Sequence, residues 1–211
     1  MTRKAIASNK RYLITPSLLN SWAYIWTCVD NVKEAESDKI CLEDKKSEAQ
    51  EKALQDFLKT LNREPIEPNI YMKQGIEFED ACYRGETCVS PIIEGGAYQI
   101  VGTKEMTVGG INFLLYGRLD VLKGGTIYDI KRVMRYAPQK YLKSYQHGCY
   151  FELFPNAYRF TYLVFDGKDL HKETYYPDQC VSIEEVIREF IAWLDKNDLL
   201  EIFFEKWVSK Y

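Results

Sequence analysis

The sequence predicts an α/β (α+β) fold in which a central mixed β-sheet is flanked by helices and decorated by a helical region at the N-terminus. Three observations predict it. Apolar residues recur at helical spacing through the first third of the chain; from Ala97 the pattern changes to period two; and helical spacing returns at Pro138–Leu153 and again after Ser182. The resulting order of helices, three strands, helix, strands and helices is that of layers packed on one mixed sheet.

Thr15-Pro16-Ser17 opens the first helix. Thr15 is a good N-cap, Pro16 suits the first helical position, and Leu18, Leu19, Trp22, Ile25 and Trp26 follow at helical spacing. From Val32 to Arg63 the chain is dense in Lys and Glu. Ala49, Ala53, Leu54, Phe57, Leu58 and Leu61 make a stripe in its second half, which predicts a solvated helix with one apolar edge, and Pro65 and Pro68 close it. Asp38 to Lys52 is the candidate mobile insertion. Tyr71 to Arg84 is a further helix on which Met72, Ile76, Glu79 and Tyr83 share a face. An acid on an apolar face needs a cation or a donor, which singles out Glu79; a solvated helix charge is the alternative.

Strands are expected near 97–108, 111–122, 126–133, 157–166 and 170–176, with Gly109-Gly110 and Gly124-Gly125 turning the first three into a meander. Pro138 to Leu153 reads as a helix between strands. Ser182-Ile183-Glu184-Glu185 matches a capping box and starts another helix, and a last one is expected from Asp198 to Lys210. Trp22, Trp26, Trp193 and Trp207 sit on amphipathic stripes and are expected in the core.

At 211 residues the chain suits a single domain, with a helical region over about 1–70, a core over 71–176 and C-terminal helices over 182–211. Hydrophobic and charged fractions of 46% and 28% are those of a globular protein, and no stretch approaches the ~18 apolar residues of a membrane span. Met1 to Lys10 has basic residues with no apolar run behind them, so no secretory signal is expected and the predicted location is cytoplasmic, with no membrane partner. The net charge of −3 excludes a surface coated in basic residues but leaves room for a local patch. Six cysteines without a Cys-x-x-Cys pair read as scattered thiols.

The chemistry gathers at residues 117–133. A hairpin turn at Lys123-Gly124-Gly125-Thr126 pulls Asp120 back toward Asp129, and strand alternation points Asp129 and Lys131 the same way. Two carboxylates and an ammonium so placed suit metal-assisted phosphodiester hydrolysis. Asp120, Asp129 and the Ile130 carbonyl offer hard oxygen ligands, and Lys131 can lower the pKa of an attacking water or stabilise phosphoryl charge. The alternative is a surface hairpin with a cross-strand Asp–Lys pair. Against it stands the apolar setting of Thr126–Val133, where charges need a reason. Downstream, Lys131, Arg132, Arg135, Lys140 and Lys143 precede His147 with no acid between, interleaved with Tyr136, Tyr141 and Tyr145. Such a run can neutralise phosphates and stack on bases, which makes Arg132, Arg135, Lys140, Lys143, Tyr145 and His147 the candidate DNA contacts; a solvated basic face with core tyrosines is the alternative.

Gly75-x-x-x-Glu79, Gly117-Arg118-Leu119-Asp120, Asp129-Ile130-Lys131 and Gln146-x-x-x-Tyr150, in this order, resemble the PD-(D/E)XK nuclease superfamily, and within it the exonucleases similar to the RecB nuclease domain and the CRISPR-adaptation nucleases. The resemblance covers roughly residues 15–176. It implies a restriction-endonuclease-like core and a Mg²⁺- or Mn²⁺-dependent exonuclease acting on the ends of linear DNA in recombination, repair or phage DNA processing, alongside a recombination or phage partner protein. It further implies that Asp120, Asp129 and Glu79 bind the metal, that Lys131 is the catalytic lysine, and that Gln146 and Tyr150 contact the DNA end or orient the site. Glu79 and Asp129 stand where many relatives have histidine and glutamate. Cys28 matches the first cysteine of the iron–sulfur relatives, but Cys180 stands alone late in the chain, so no cluster is expected. Two other readings remain: a nucleic-acid-binding module without the chemistry, and a site-specific endonuclease.

Overall fold

A computed structural model describes residues 10–31 and 39–210. The expectation for Met1 to Lys10 falls almost wholly outside the described residues, as does the first part, Val32 to Asp38, of the Lys- and Glu-rich stretch Val32–Arg63. Strand β1 (Arg11–Ile14) leads directly into helix α1 (Pro16–Thr27). Thr15 caps α1 as its sequence predicts, its Oγ1 accepting from Leu18 N at 3.2 Å. The helix buries Leu18, Leu19, Trp22 and Ile25, whereas Trp26 is 40% exposed, which corrects its assignment to the core.

Helix α2 (Lys39–Leu61) occupies most of the stretch expected to be a mobile insertion. Lys, Glu, Gln and Ala are strong helix formers, and Phe57 and Leu61, both fully buried, anchor the far end. Helix α3 (Ile70–Tyr83) is capped by Asn69. Its predicted apolar face is not buried: Met72 and Ile76 are 44% and 55% exposed, because the helix is held through Cys82 and through Phe78, which stacks on Phe165 at 5.0 Å. A single turn, α4 (Ser90–Ile93), follows.

Strands β2 (Ala97–Val108), β3 (Ile111–Lys123) and β4 (Thr126–Arg132) form the expected meander. Gly124 and Gly125 take φ of +54° and +72°, the left-handed pair a two-residue hairpin requires, and Lys123 pairs Thr126 across it. The chain then crosses through α5 (Gln146–Leu153) to β5 (Arg159–Phe165), parallel to β4, and returns in β6 (Leu170–Tyr175). The helix expected from Pro138 begins only at Gln146; Pro138 to Ser144 is a run of turns, with Gln139 at φ +62°. Helix α6 (Ile183–Lys196) starts on its Ser182 cap, and α7 (Leu200–Lys206) is shorter than expected. Beyond α7 the chain turns back along β1: Leu13 N donates to Trp207 O at 2.7 Å and Ser209 N to Arg11 O at 2.7 Å. That segment covers a strand edge that would otherwise be open.

The result is a six-stranded mixed sheet in an α+β fold. The main core joins the sheet to α1, α2, α5, α6 and α7, and a smaller cluster around Cys82, Ile93, Val121, Ile130 and Leu163 packs beneath α3 and α4. Among the described residues no helix is long and apolar enough to cross a membrane.

Candidate active site

A strand has two edges, and β2 occupies one edge of β3 along its length. The other edge is shared. β1 pairs with Asn112–Leu115 and β4 with Val121–Lys123, so Tyr116 to Asp120 face a gap in the sheet. A cleft of about 520 Å³ opens there, lined by Thr15, Ser17, Asn20, Arg118, Lys131, Gln146 and Tyr150 among others.

At the edge of the gap the backbone ladder between β3 and β4 is replaced by a side chain. Ile130 N donates to Asp120 Oδ2 at 2.8 Å. Because a strand residue's N–H and C=O point to the same edge, the Ile130 carbonyl is directed toward the same gap. Asp129, 3% exposed, accepts from Gln146 Nε2 at 2.6 Å through Oδ1. Its Oδ2 lies 2.7 Å from Lys131 Nζ, an ion pair between a buried carboxylate and an ammonium. Two carboxylates and a carbonyl at one strand edge are the oxygen donor set that a hard cation takes.

The electrostatics agree with that geometry. Burial, and then the neighbouring Asp129, push the Asp120 carboxyl up to about 8, against which Lys131 and the Ile130 N–H act. Burial also raises Asp129, opposed by Lys131 and Gln146. Burial alone would lower Lys131, but Asp129 and Asp120 together outweigh it and hold the ammonium charged. Both acids are thus shifted toward their protonated forms, with Lys131 opposing the shift at each.

Helix α5 places Gln146 over Asp129 and Tyr150 one turn later. Tyr150 OH donates to Arg118 O at 2.7 Å, and its ring lies against Gly117, where a Cβ would come within 2.8 Å of both Tyr150 and Leu153. Gly117 is therefore required by packing. Gly75, by contrast, has open space where a Cβ would stand.

Glu79 sits apart. Its Oε1 accepts from Tyr83 OH at 2.7 Å and from Gln99 Nε2 at 2.6 Å, and among the described residues no three His, Cys, Asp or Glu come together as a cation cage. Glu79 still acts on Asp120 through its charge. Gln99 was not legible as a site residue. It stands at the position opposite Asp120 in the β2–β3 register, is skipped by the pairing, and has φ +53°. Left-handed backbone in a non-glycine strand residue is the sign of such a re-aimed side chain.

The predicted DNA contacts divide. Arg132, Arg135 and Lys140 line a pocket of about 350 Å³ with Tyr71, Gln74 and Met134. Lys143 and Tyr145 line a different one, beside Trp22. His147 is 4% exposed, stacked on Tyr175 at 4.3 Å and 3.3 Å from Tyr162 OH, and burial pushes its imidazole down to about 4; the little of it left exposed lines the pocket beside Trp22. Glu173, also absent from the sequence reading, is buried and accepts from Tyr141 N at 3.0 Å, Tyr136 OH at 3.2 Å and Tyr175 OH, which fastens the basic turn segment to β6.

Neither a family model nor a curated protein matches the chain. Among solved structures, the chain is similar to the crystal structure of SSO0001, with 14% identity over 92% of this chain and 84% of that one at a TM-score of 0.48. It is also similar to Rai1 of Scheffersomyces stipitis, with 14% identity over 92% of this chain and 64% of that one at a TM-score of 0.36. At these levels neither likeness bears on what the cleft does.

Proposed function

We propose that the chain is a divalent-metal-dependent DNA nuclease of the PD-(D/E)XK kind, acting as an exonuclease on linear DNA in recombination, repair or phage DNA processing. The observation that carries this reading is the gap in β3 pairing, at whose edge Asp120, Asp129 and Lys131 converge under Gln146. Asp120, Asp129 and the Ile130 carbonyl would hold Mg²⁺ or Mn²⁺, and an all-oxygen donor set with two carboxylates fits that role. A bound divalent cation supplies Lewis-acid stabilisation of phosphoryl oxygens and a more acidic attacking water. Lys131, held charged by its two acids, offers its ammonium to the charge that develops on the phosphoryl group. Gln146 fixes the rotation of the Asp129 carboxylate, and Tyr150 fixes the backbone at Arg118. Arg132, Arg135 and Lys140 serve as phosphate contacts along the strand.

One observation favours a second reading, a module that binds nucleic acid without cutting it: Glu79 is committed to Tyr83 and Gln99, leaving two carboxylates to hold the metal. Incubation with linear and with closed circular DNA in Mg²⁺ decides among the readings. The linear substrate should be degraded from its ends, the circle should persist, and Lys131→Ala should lose at least about 100-fold of the activity at a temperature where its circular dichroism shows it fully folded. Full activity in Lys131→Ala would refute the assignment; cutting of the circle would make the enzyme an endonuclease.

A further inference from the structure

Beside the cleft lies a second cavity of about 530 Å³, between α1, the turn before α5 and α6. It is within the size range of small-ligand sites, ~300–1,000 Å³. Trp22, Trp26, Leu142, Tyr145, Val181 and Glu189 are among its walls. The Trp22 and Tyr145 rings lie 6.3 Å apart at 24°, and Trp26 meets Trp22 edge-on at 5.2 Å. The mouth is apolar and open, with Trp26 at 40%, Leu142 at 54% and Val181 at 58% exposure. Trp22, at the same walls, is only 5% exposed.

The walls specify the chemistry of that occupant. Aromatic and aliphatic faces call for a flat apolar body, and the Glu189 carboxylate among them calls for a donor on its rim. A nucleobase has both properties. The position is also appropriate. Asn20 lines the cleft, and its Oδ1 accepts from Tyr145 N at 2.8 Å while its Nδ2 donates to Ser144 Oγ at 3.0 Å; Ser144 and Tyr145 both line the second cavity. One hydrogen-bonded joint thus separates the two spaces.

We propose that the Trp22–Trp26–Tyr145 cavity holds a nucleobase of the strand whose phosphodiester lies in the neighbouring cleft. The inference rests on the nuclease reading of that cleft and adds a base-binding subsite to it. Such a subsite favours a strand whose terminal bases are unpaired, since a base inside a duplex cannot leave its stack without cost.

The test is a tryptophan-fluorescence titration of the full chain in EDTA with a short single-stranded DNA, with a strand of the same length built of abasic sites, and with a deoxynucleoside monophosphate. The base-containing strand should quench the fluorescence and bind about 10-fold tighter than the abasic strand, the amount one stacked base contributes. Trp26→Ala should erase that preference, and Leu142→Ala should weaken it; both residues are open to solvent, so neither change threatens folding. Equal affinity for the two strands, or a preference that survives in both variants, overturns the subsite and leaves the nuclease reading standing. A monophosphate that binds as tightly as the strand also overturns it, in favour of a free-nucleotide site. Failure of both strands to bind overturns the subsite, while the nuclease reading is judged separately by the cleavage assay in Mg²⁺.

Discussion

Asp120 is held in a position that favours function over stability. Its carboxyl is raised from an ordinary 3.8 to about 8 by burial and by Asp129, so the folded chain binds a proton there that the unfolded chain has already released near neutral pH. The sign follows from linkage: this group does not oppose folding below pH 3.8, and the metal-free protein loses stability as pH rises through 8. Asp120→Asn removes that loss while still accepting from Ile130 N. At pH 8 it should raise the metal-free Tm by about 2–4 °C, the equivalent of about 1 kcal/mol in a chain of this size, and abolish cleavage; differential scanning calorimetry and a nuclease assay on the same sample check both parts. His147 has the opposite slope. Its imidazole falls from 6.5 to about 4 on burial, so the neutral ring is compatible with the fold above pH 6.5 and stability is lost as pH falls through 4. His147→Phe, which keeps a ring against Tyr175, should flatten urea-unfolding midpoints between pH 4 and 6.5 without changing cleavage at pH 8.

The contact between α5 and β3 joins packing to the site. Gly117 lets the Tyr150 ring lie on the strand, and Tyr150 in turn holds Arg118 at the floor of the cleft. Gly117→Ala would force a Cβ to 2.8 Å from both Tyr150 and Leu153. The change should cost about 1–3 kcal/mol in urea unfolding and reduce cleavage even at temperatures where the variant is fully folded, because Gln146 rides on the same helix. If stability fell while activity per folded molecule were unchanged, α5 would not be positioning the site. The elements legible in the sequence were those set by local chemistry. The Thr15 cap, the strands of the meander and the Gly124-Gly125 hairpin each depend on neighbours within a few residues. β1 escaped because four residues carry too little periodicity, and the false helix from Pro138 arose because Tyr141 and Tyr145 mimic helical spacing while packing on Tyr162 and Trp22 instead.

At the scale of the molecule, the sheet makes the site by failing to close. β1 and β4 meet β3 at different ends of one edge, and Trp207 to Ser209 cover the outer side of β1, so among the described residues the stretch from Tyr116 to Asp120 between them is left unpaired on that edge. The centre of this arrangement, Asp120, Asp129 and Lys131, could be read from the sequence because a glycine turn fixes the register between the two strands. The surroundings could not. Gln99 reaches Glu79 only through a distortion in β2, and His147 is buried only because β6 brings Tyr175 over it; both depend on pairings distant in sequence. The account therefore depends most on the two acids acting together as a cation site. A Mn²⁺ titration followed by electron paramagnetic resonance, on the wild-type chain and on Asp129→Asn, tests that directly. The account predicts saturable binding to the wild-type chain that tightens as pH rises toward 8 and is lost in Asp129→Asn. Equal Mn²⁺ binding by the two proteins, or none by the wild type, would contradict it.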